Sequence, residues 1–210
     1  MSIWTDTLEM LTAGSSTAVL LSTATSGLHR TDQLLAVSYA LYQGDEHQES
    51  KTFIVSAPDD VLMQSAEYHR ISPEMVRTQG MPREQLKEKL EELLTPDKVV
   101  FTYNSPFQVK ALTMMGEGTL EAVPCPMLDL LIWIKAAESK MHFVVDLPID
   151  KAQVQIANRV MCPAWKKVLS YRGIDPQTPP GMLPVEYNVQ CLEMLYGDLK
   201  ELSPDIELAI

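Results

Sequence analysis

The stretch that most constrains the fold is residues 18–28, AVLLSTATSGL. Its apolar run, Val19 to Leu21, leads into hydroxyl-bearing residues and ends at Gly27. Many α/β domains place their functional groups where a short buried strand breaks into a glycine-containing turn. The stretch therefore predicts a buried first strand whose carboxyl end carries the functional residues of the domain.

Three further runs of strand-forming residues follow in the sequence. Residues 33–42 and 50–56 are separated by a polar turn at 44–48, so the first three strands predict an antiparallel meander. Residues 98–102, KVVFT, are apolar in succession and indicate a buried strand of the parallel type.

Four later segments predict helices. Ser72 followed by Pro73 predicts the capped start of one helix. Residues 83–94 carry leucines at i, i+4, i+7 and i+8, which is typical of an amphipathic helix. Residues 130–137 and 184–202 predict two more helices, so the chain is of the α/β class.

Four segments, in this order, resemble the DEDD-type (DEDDh-like) 3′-5′ exonuclease family, which has a ribonuclease H-like fold. The matching residues are Thr25, Ser26, Gly27 and Leu28 after the first strand, His69, Ile71, Ser72 and Pro73 in the middle, Asn104 and Phe107 after the strand at 98–102, and Asp129 before a helix. The resemblance implies a mixed five-stranded sheet, with its first three strands antiparallel, flanked by helices.

The residues that carry the family's chemistry are absent from the matching positions. Ser22, Ala24 and Gln108 stand where the family has Asp, Glu and Asp, and Glu186 and Cys191 stand where this alignment places the histidine base and the last Asp. Two-metal hydrolysis needs carboxylates to hold the cations. The resemblance therefore implies a degenerate site with no catalytic residue and no bound metal.

Ordinary structural roles explain most of the remaining candidates. His69 beside a helix start is interpreted as a hydrogen-bonding residue, Cys191 as core, and Asp129 as a helix cap. The residues expected to contact a substrate or partner at the old cleft are Thr25, Ser26, Gly27, Leu28, Asn104 and Phe107.

Charge argues against a nucleic-acid surface. The chain has 17 Lys and Arg against 28 Asp and Glu, a net charge of -11, which repels a phosphate backbone. The densest basic group, Lys166, Lys167 and Arg172 near Trp165 and Tyr171, is interpreted as a solvated helix face. A protein partner is thus favoured over a nucleic-acid end, with the proline-rich loop at 174–184 as a contact.

Length, cysteines and hydropathy set the remaining bounds. The 210 residues predict one domain, with residues 1–14 as an N-terminal arm and residues 139–184 as an insertion or lid. Cys125, Cys162 and Cys191 lack the spacing of a disulfide framework or zinc site and indicate thiols in a reducing cytoplasm. No run approaches the ~20 apolar residues of a membrane span.

Two functions from different classes follow. The first is a pseudoenzyme: a non-catalytic, exonuclease-like module that needs no cofactor and binds a protein partner or a nucleic-acid end. The alternative is an active 3′-5′ exonuclease on DNA or RNA, using Mg²⁺ or Mn²⁺ held by displaced ligands such as Asp146, Asp150 or Asp175. A third possibility is an unrelated α/β domain, which a different strand order would establish.

Overall fold

A computed structural model describes residues 17–29, 31–116, 119–138, 143–145, 153–154, 156–157, 164–201 and 206–208. The predicted arm at 1–14 and most of the predicted insertion up to residue 163 lie outside these ranges, as does Cys162.

Strand β1, Thr17–Thr25, lies inside the main sheet and is buried along almost its whole length. It pairs antiparallel with β2, Leu34–Gln43, and its first half pairs parallel with β5, Lys98–Thr102. A strand flanked by strands and covered on both faces has no solvated side, which explains its unbroken apolar run.

The sheet is mixed, and its first three strands are antiparallel as the sequence predicts. β3, Glu46–Val55, returns from β2 through residues 44–45, where Gly44 adopts φ 59°, a left-handed conformation that glycine favours. The strand order is β4-β3-β2-β1-β5-β6, so the sheet has six strands rather than five. Two of them are very short: β4 is Gly80–Met81 and β6 is Met127–Asp129.

Helices lie on both sides of this sheet. In chain order they are α1 (Asp59–Leu62), α2 (Ala66–His69), α3 (Pro73–Gln79), α4 (Arg83–Leu93), α5 (Ser105–Met114), α6 (Leu130–Glu138), α7 (Trp165–Tyr171) and α8 (Pro184–Glu201). A separate parallel pair joins β7, Phe143–Val145, to β8, Ile206–Leu208. Ser72 caps α3 as predicted, because its hydroxyl accepts a 3.2 Å hydrogen bond from the Met75 amide.

The alternation of side chains along β1 divides the core in two. Leu20 and Phe101 face α6 and α8, where they pack with Trp133, Leu195 and Tyr196. Val19, Leu21 and Val100 belong to the opposite cluster, which the buried leucines of α4 and the apolar side of α5 complete. The core of the described residues therefore depends on both faces of one strand.

No helix among the described residues combines the length and the hydropathy that crossing a lipid bilayer requires.

The neighbours Leu195 and Met194 on α8 provide a matched test of this core. Leu195 is fully buried whereas Met194 is 56% exposed. We expect Leu195→Ala to lower the free energy of unfolding by about 2–5 kcal/mol, because it leaves a cavity against the sheet. Met194→Ala should change it by no more than about 0.5 kcal/mol. Urea denaturation of the three proteins measures both values, and equal losses would contradict the packing described here.

Candidate functional site

A cleft of about 640 Å³ opens at the carboxyl end of β1. The end of β1 and the loop after it form one wall, the α1–α2 connection and α2 form another, and the start of α8 closes it. The lining residues are Thr23, Ala24, Thr25, Ser26, Gly27, Leu28, His29, Asp32, Gln64, Ser65, Tyr68, His69, Pro184, Val185 and Asn188. The cleft thus includes the Thr-Ser-Gly-Leu segment that the sequence singled out.

Local hydrogen bonds shape the loop after β1. The Ser26 hydroxyl accepts from the Gln33 amide at 3.0 Å, while the Ser26 amide donates to the Gln33 carbonyl at 2.9 Å. The Asp32 carboxylate accepts from the His29 amide at 2.5 Å. A Cβ on Gly27 would stand 2.4 Å from that carboxylate, so any other residue there would displace the Asp32 side chain. The Ser-Gly pair therefore has a structural role in the loop.

Neutral side chains form two hydrogen-bonded pairs that include Ser22 and Gln108, two of the positions where the sequence resemblance implies carboxylates. Thr23 donates to Gln108 Oε1 at 2.8 Å, and Asn188 Nδ2 donates to Ser22 Oγ at 3.4 Å. Ser22 and Gln108 are 3% and 5% exposed, respectively. Each pair satisfies its buried member, and Thr23 and Asn188 also line the cleft.

Aromatic side chains complete this neutral network. Trp165 Nε1 donates to Asn188 Oδ1 at 3.3 Å, so both ends of the Asn188 amide are engaged. The indole ring stacks on Tyr103, with centroids 4.8 Å apart and an angle of 22° between the planes. The start of α7 is thereby fixed against the end of β5.

The structure places Glu186 and Cys191, the pair that the alignment selects on the last helix, in two different environments. Glu186 Oε2 accepts from the Leu183 amide at 3.2 Å and faces a separate polar groove with Gln79 and Glu193. Cys191 is fully buried in the α8 side of the core, and this burial raises the pKa of its thiol. Neither side chain lines the cleft.

Asn188 is the α8 residue that faces Ser22. Each residue turns a helix by about 100°, so an alignment shifted by two or three residues selects another face. The sequence feature that could have indicated Asn188 is its position directly before Val189, which belongs to the buried stripe of the helix.

Apolar packing buries Ala24, near the end of β1, and Leu183, just before α8. Ala24 and Leu183 are 9% and 5% exposed and belong to one apolar cluster with Leu35 and Val185. Neither side chain can bind a cation or accept a proton.

His69 is a structural residue, as the sequence predicts. Its ring is 2% exposed, and its Nδ1 accepts from the Ile71 amide at 3.0 Å. The proton is therefore on Nε2, which donates to the Gln64 carbonyl at 3.0 Å. Both nitrogens are used by the backbone, so the ring cannot act as a base in this arrangement.

Asp129 caps α6 as predicted and also anchors the start of α5. Its Oδ1 accepts from the Leu131 amide at 3.1 Å, and its Oδ2 accepts from the amides of Asn104 at 2.7 Å and Ser105 at 3.4 Å. Burial raises the pKa of this carboxyl. Asn104, with φ 55°, is held in a left-handed conformation at this point.

Two of the predicted contact residues lie away from the cleft. Asn104 is exposed at the start of α5, and Phe107 is half-buried against the core cluster of α4 and α5. The structure therefore brings together Thr25, Ser26, Gly27 and Leu28, but leaves Asn104 and Phe107 outside the cleft lining.

The residues of the cleft do not fit a divalent cation. Mg²⁺ and Mn²⁺ prefer carboxylate oxygens. Asp32 is the one carboxylate among the described lining residues, and it accepts from the His29 amide. Within the described part of the chain, no three His, Cys, Asp or Glu side chains come together as a metal site.

The displaced ligands of the alternative are only partly described. Asp146 and Asp150 lie outside the described residues. Asp175 lies in the loop between α7 and α8, where its Oδ1 accepts from the Gln177 amide at 2.9 Å, and it does not line the cleft. That loop is held near α2 by Arg70, which donates to the Thr178 carbonyl at 3.4 Å.

The basic group of α7 forms a solvated helix face, as interpreted from the sequence. Lys166 and Lys167 are exposed. Arg172 pairs with Asp198 at 2.8 Å and also with Glu138, so carboxylates already balance its charge.

The architecture is shared with solved structures of exonuclease I. The E. coli enzyme in complex with a 5cy-dA13 oligonucleotide is 16% identical, with a TM-score of 0.61 over 90% of this chain and 41% of that one. The zinc-bound E. coli ExoI–ssDNA complex is 14% identical, with a TM-score of 0.57 over 88% of this chain and 40% of that one. Exonuclease I from Methylocaldum szegediense is 14% identical, with a TM-score of 0.56 over 89% of this chain and 42% of that one.

These likenesses establish an exonuclease-like fold. The chain spans about two fifths of the length of the exonuclease I structures. Comparisons with protein-family models and with curated protein sequences find no match.

The pH dependence of folding tests the burial of Asp129. Because its pKa is raised above the ordinary value of 3.8, the folded state binds this proton more tightly than the unfolded state does. The contribution of Asp129 is therefore most favourable below 3.8 and is lost as pH rises through the folded pKa. We therefore expect the free energy of unfolding of the wild type to fall, relative to that of Asp129→Asn, as pH rises through the folded pKa of Asp129. Urea denaturation at several pH values measures this difference.

Asp175→Asn, in the exposed loop, is the control for this experiment. A constant difference in stability between wild type and Asp129→Asn at all pH values would show that Asp129 has the same pKa in the folded and unfolded states and would contradict the prediction.

Proposed function

We propose that this chain is a pseudoenzyme, an exonuclease-fold module that binds a protein partner at its cleft and does not hydrolyse phosphodiesters. The observation that carries the proposal is that Ser22 and Gln108, where the resemblance implies carboxylates, are neutral and are hydrogen-bonded to Asn188 and Thr23, respectively. Hydroxyl and amide groups supply no charge to assemble a pair of divalent cations.

The packing of the site supports the same conclusion. Gln108 Oε1 and Asn188 Oδ1, the two amide oxygens, already accept hydrogen bonds from Thr23 and Trp165. To bind there, a cation would have to break these hydrogen bonds and lose its hydration shell. No carboxylate at the site would compensate for these costs. We therefore infer that the module acts without Mg²⁺ or Mn²⁺.

Charge favours a protein over a nucleic-acid partner. The exonuclease I structures include complexes with single-stranded DNA and oligonucleotides, so a nucleic-acid end remains the alternative occupant. However, the net charge is -11, and neither Lys nor Arg occurs among the described lining residues. Nucleic-acid affinity comes largely from cations on the protein, which release counterions from the phosphates.

A nuclease assay tests the absence of hydrolysis. Purified protein is incubated with 5′-labelled single-stranded DNA and RNA in Mg²⁺, Mn²⁺ or EDTA, with E. coli exonuclease I as the positive control on DNA. We expect intact strands on denaturing gels under all three conditions, because the cleft has no ligand set for the metal. A metal-dependent ladder from the 3′ end would refute the proposal, and its loss in Asp146→Asn, Asp150→Asn or Asp175→Asn would identify displaced ligands.

Restoring the carboxylates tests whether their absence is the reason that the site does not bind a metal. In Ser22→Asp/Ala24→Glu/Gln108→Asp/Asn188→Asp, we expect a lower Tm without metal, because four like charges crowd a buried site. Mn²⁺ should then stabilise this variant by about 2.7 kcal/mol at a hundredfold excess over Kd, and leave the wild type unchanged.

The matched control is Ser22→Asn/Ala24→Gln, which adds similar bulk without charge. Differential scanning fluorimetry with and without Mn²⁺ compares the three proteins. Stabilisation of the wild type by Mn²⁺ would show that its native site binds the metal after all.

A further inference from the structure

Two large apolar side chains are exposed at the cleft. Leu28 is 71% and Tyr68 is 74% exposed, and both line the same cavity from different walls. The cavity volume of about 640 Å³ falls within the roughly 300–1,000 Å³ of ligand-binding sites. Exposed apolar groups gathered at one concave place mark an interaction surface.

The wall that carries Tyr68 is rigid. Helix α2 is bounded by Ser65 and Arg70, which have φ of 54° and 57°, respectively, and are therefore both left-handed. The buried ring of His69 ties this segment to Gln64 and Ile71. Tyr68 projects from a fixed segment whose helix spans only residues 66–69.

The wall that carries Leu28 is held equally well. Ser26 and Asp32 fix the loop by the hydrogen bonds described above, and Lys110 Nζ donates to the Leu28 carbonyl. A surface that is ordered before binding loses less conformational entropy when the partner arrives. Both apolar groups are therefore preorganised for contact.

The charge around these groups selects the partner. Asp32 is the charged residue among the described lining residues, apart from the histidines, and its half-buried carboxylate lies in the loop. Lys110 lies outside this lining, and its ammonium group is engaged by the Leu28 carbonyl. An acidic chain with an acidic residue beside an apolar contact favours cations and disfavours phosphates.

We infer that the cleft binds a peptide segment of a protein partner, with one large apolar side chain against Leu28 and Tyr68 and a Lys or Arg side chain near Asp32. The inference rests on the proposed function and specifies the partner of the same site. The main chain and polar groups of such a segment would contact Gln64, Ser65 and Pro184.

A phage-displayed library of random dodecapeptides provides the probe. It is selected on the wild-type protein, with prior depletion on Leu28→Ser/Tyr68→Ser. We expect an enriched consensus of one Leu, Met, Phe or Trp flanked by Lys or Arg. A fluorescein-labelled consensus peptide should lose about tenfold or more in Kd on the double variant by fluorescence anisotropy, as expected for the loss of an interface hot spot.

Two further variants separate the effect of the apolar surface at the cleft from the effect of the Asp32 charge. Met114→Ser/Met194→Ser removes two apolar side chains that are 50% and 56% exposed elsewhere, and should bind the peptide like the wild type. Asp32→Asn keeps an oxygen for the His29 amide, and should reduce the preference for Lys and Arg. Circular dichroism spectra must match across the variants.

The inference is overturned if no consensus is enriched, if the consensus is acidic, or if Leu28→Ser/Tyr68→Ser binds the peptide as the wild type does. It is also overturned if labelled dT13 binds tightly and competes with the peptide at this cleft. Each of these outcomes is distinct from failure of the proposed function, which would appear as metal-dependent hydrolysis in the nuclease assay.

Discussion

The structure depends on the pairing of β1 on both of its edges. Nine residues of this strand are bonded to β2, and four of them are bonded also to β5. Its two faces then supply Leu20 to one core cluster and Val19 and Leu21 to the other. A strand constrained in all these directions cannot slip by one residue without reversing its buried side chains. The positions of Ser22 to Leu28 at the cleft follow from that fixed register.

The end of β1 shows how neutral side chains can fill a buried polar site. Clustered carboxylates repel one another unless cations lie between them. Here hydroxyl and amide groups form the corresponding contacts, and each such hydrogen bond contributes about 0.5–1.5 kcal/mol. Trp165 adds an aromatic stack with Tyr103 and a bond to Asn188. The resulting centre is compatible with burial, whereas the open lining around Leu28 and Tyr68 remains accessible.

Sequence reasoning succeeded where burial and periodicity coincide. The apolar runs of β1, β2 and β5 and the leucines of α4 predicted these elements, and the hydroxyl-glycine segment predicted the cleft. Polar residues at 46–49 looked like a turn, but backbone pairing with β2 makes them strand. Asn188 was missed because only the orientation of α8 against β1 selects it over Glu186. The exposure of Tyr68 depends on two left-handed residues that composition does not reveal.

The cluster that contains Ala24 and Leu183 has a historical consequence. Under the proposed function, Ala24 and Leu183 strengthen the apolar core at places where a charged or ionisable group would be costly to bury. Introducing one such group would place it in an apolar environment without a partner. Metal-dependent hydrolysis would then require several simultaneous changes, each harmful alone. The loss of catalysis would therefore be difficult to reverse. The fold could then diverge under selection for partner recognition alone.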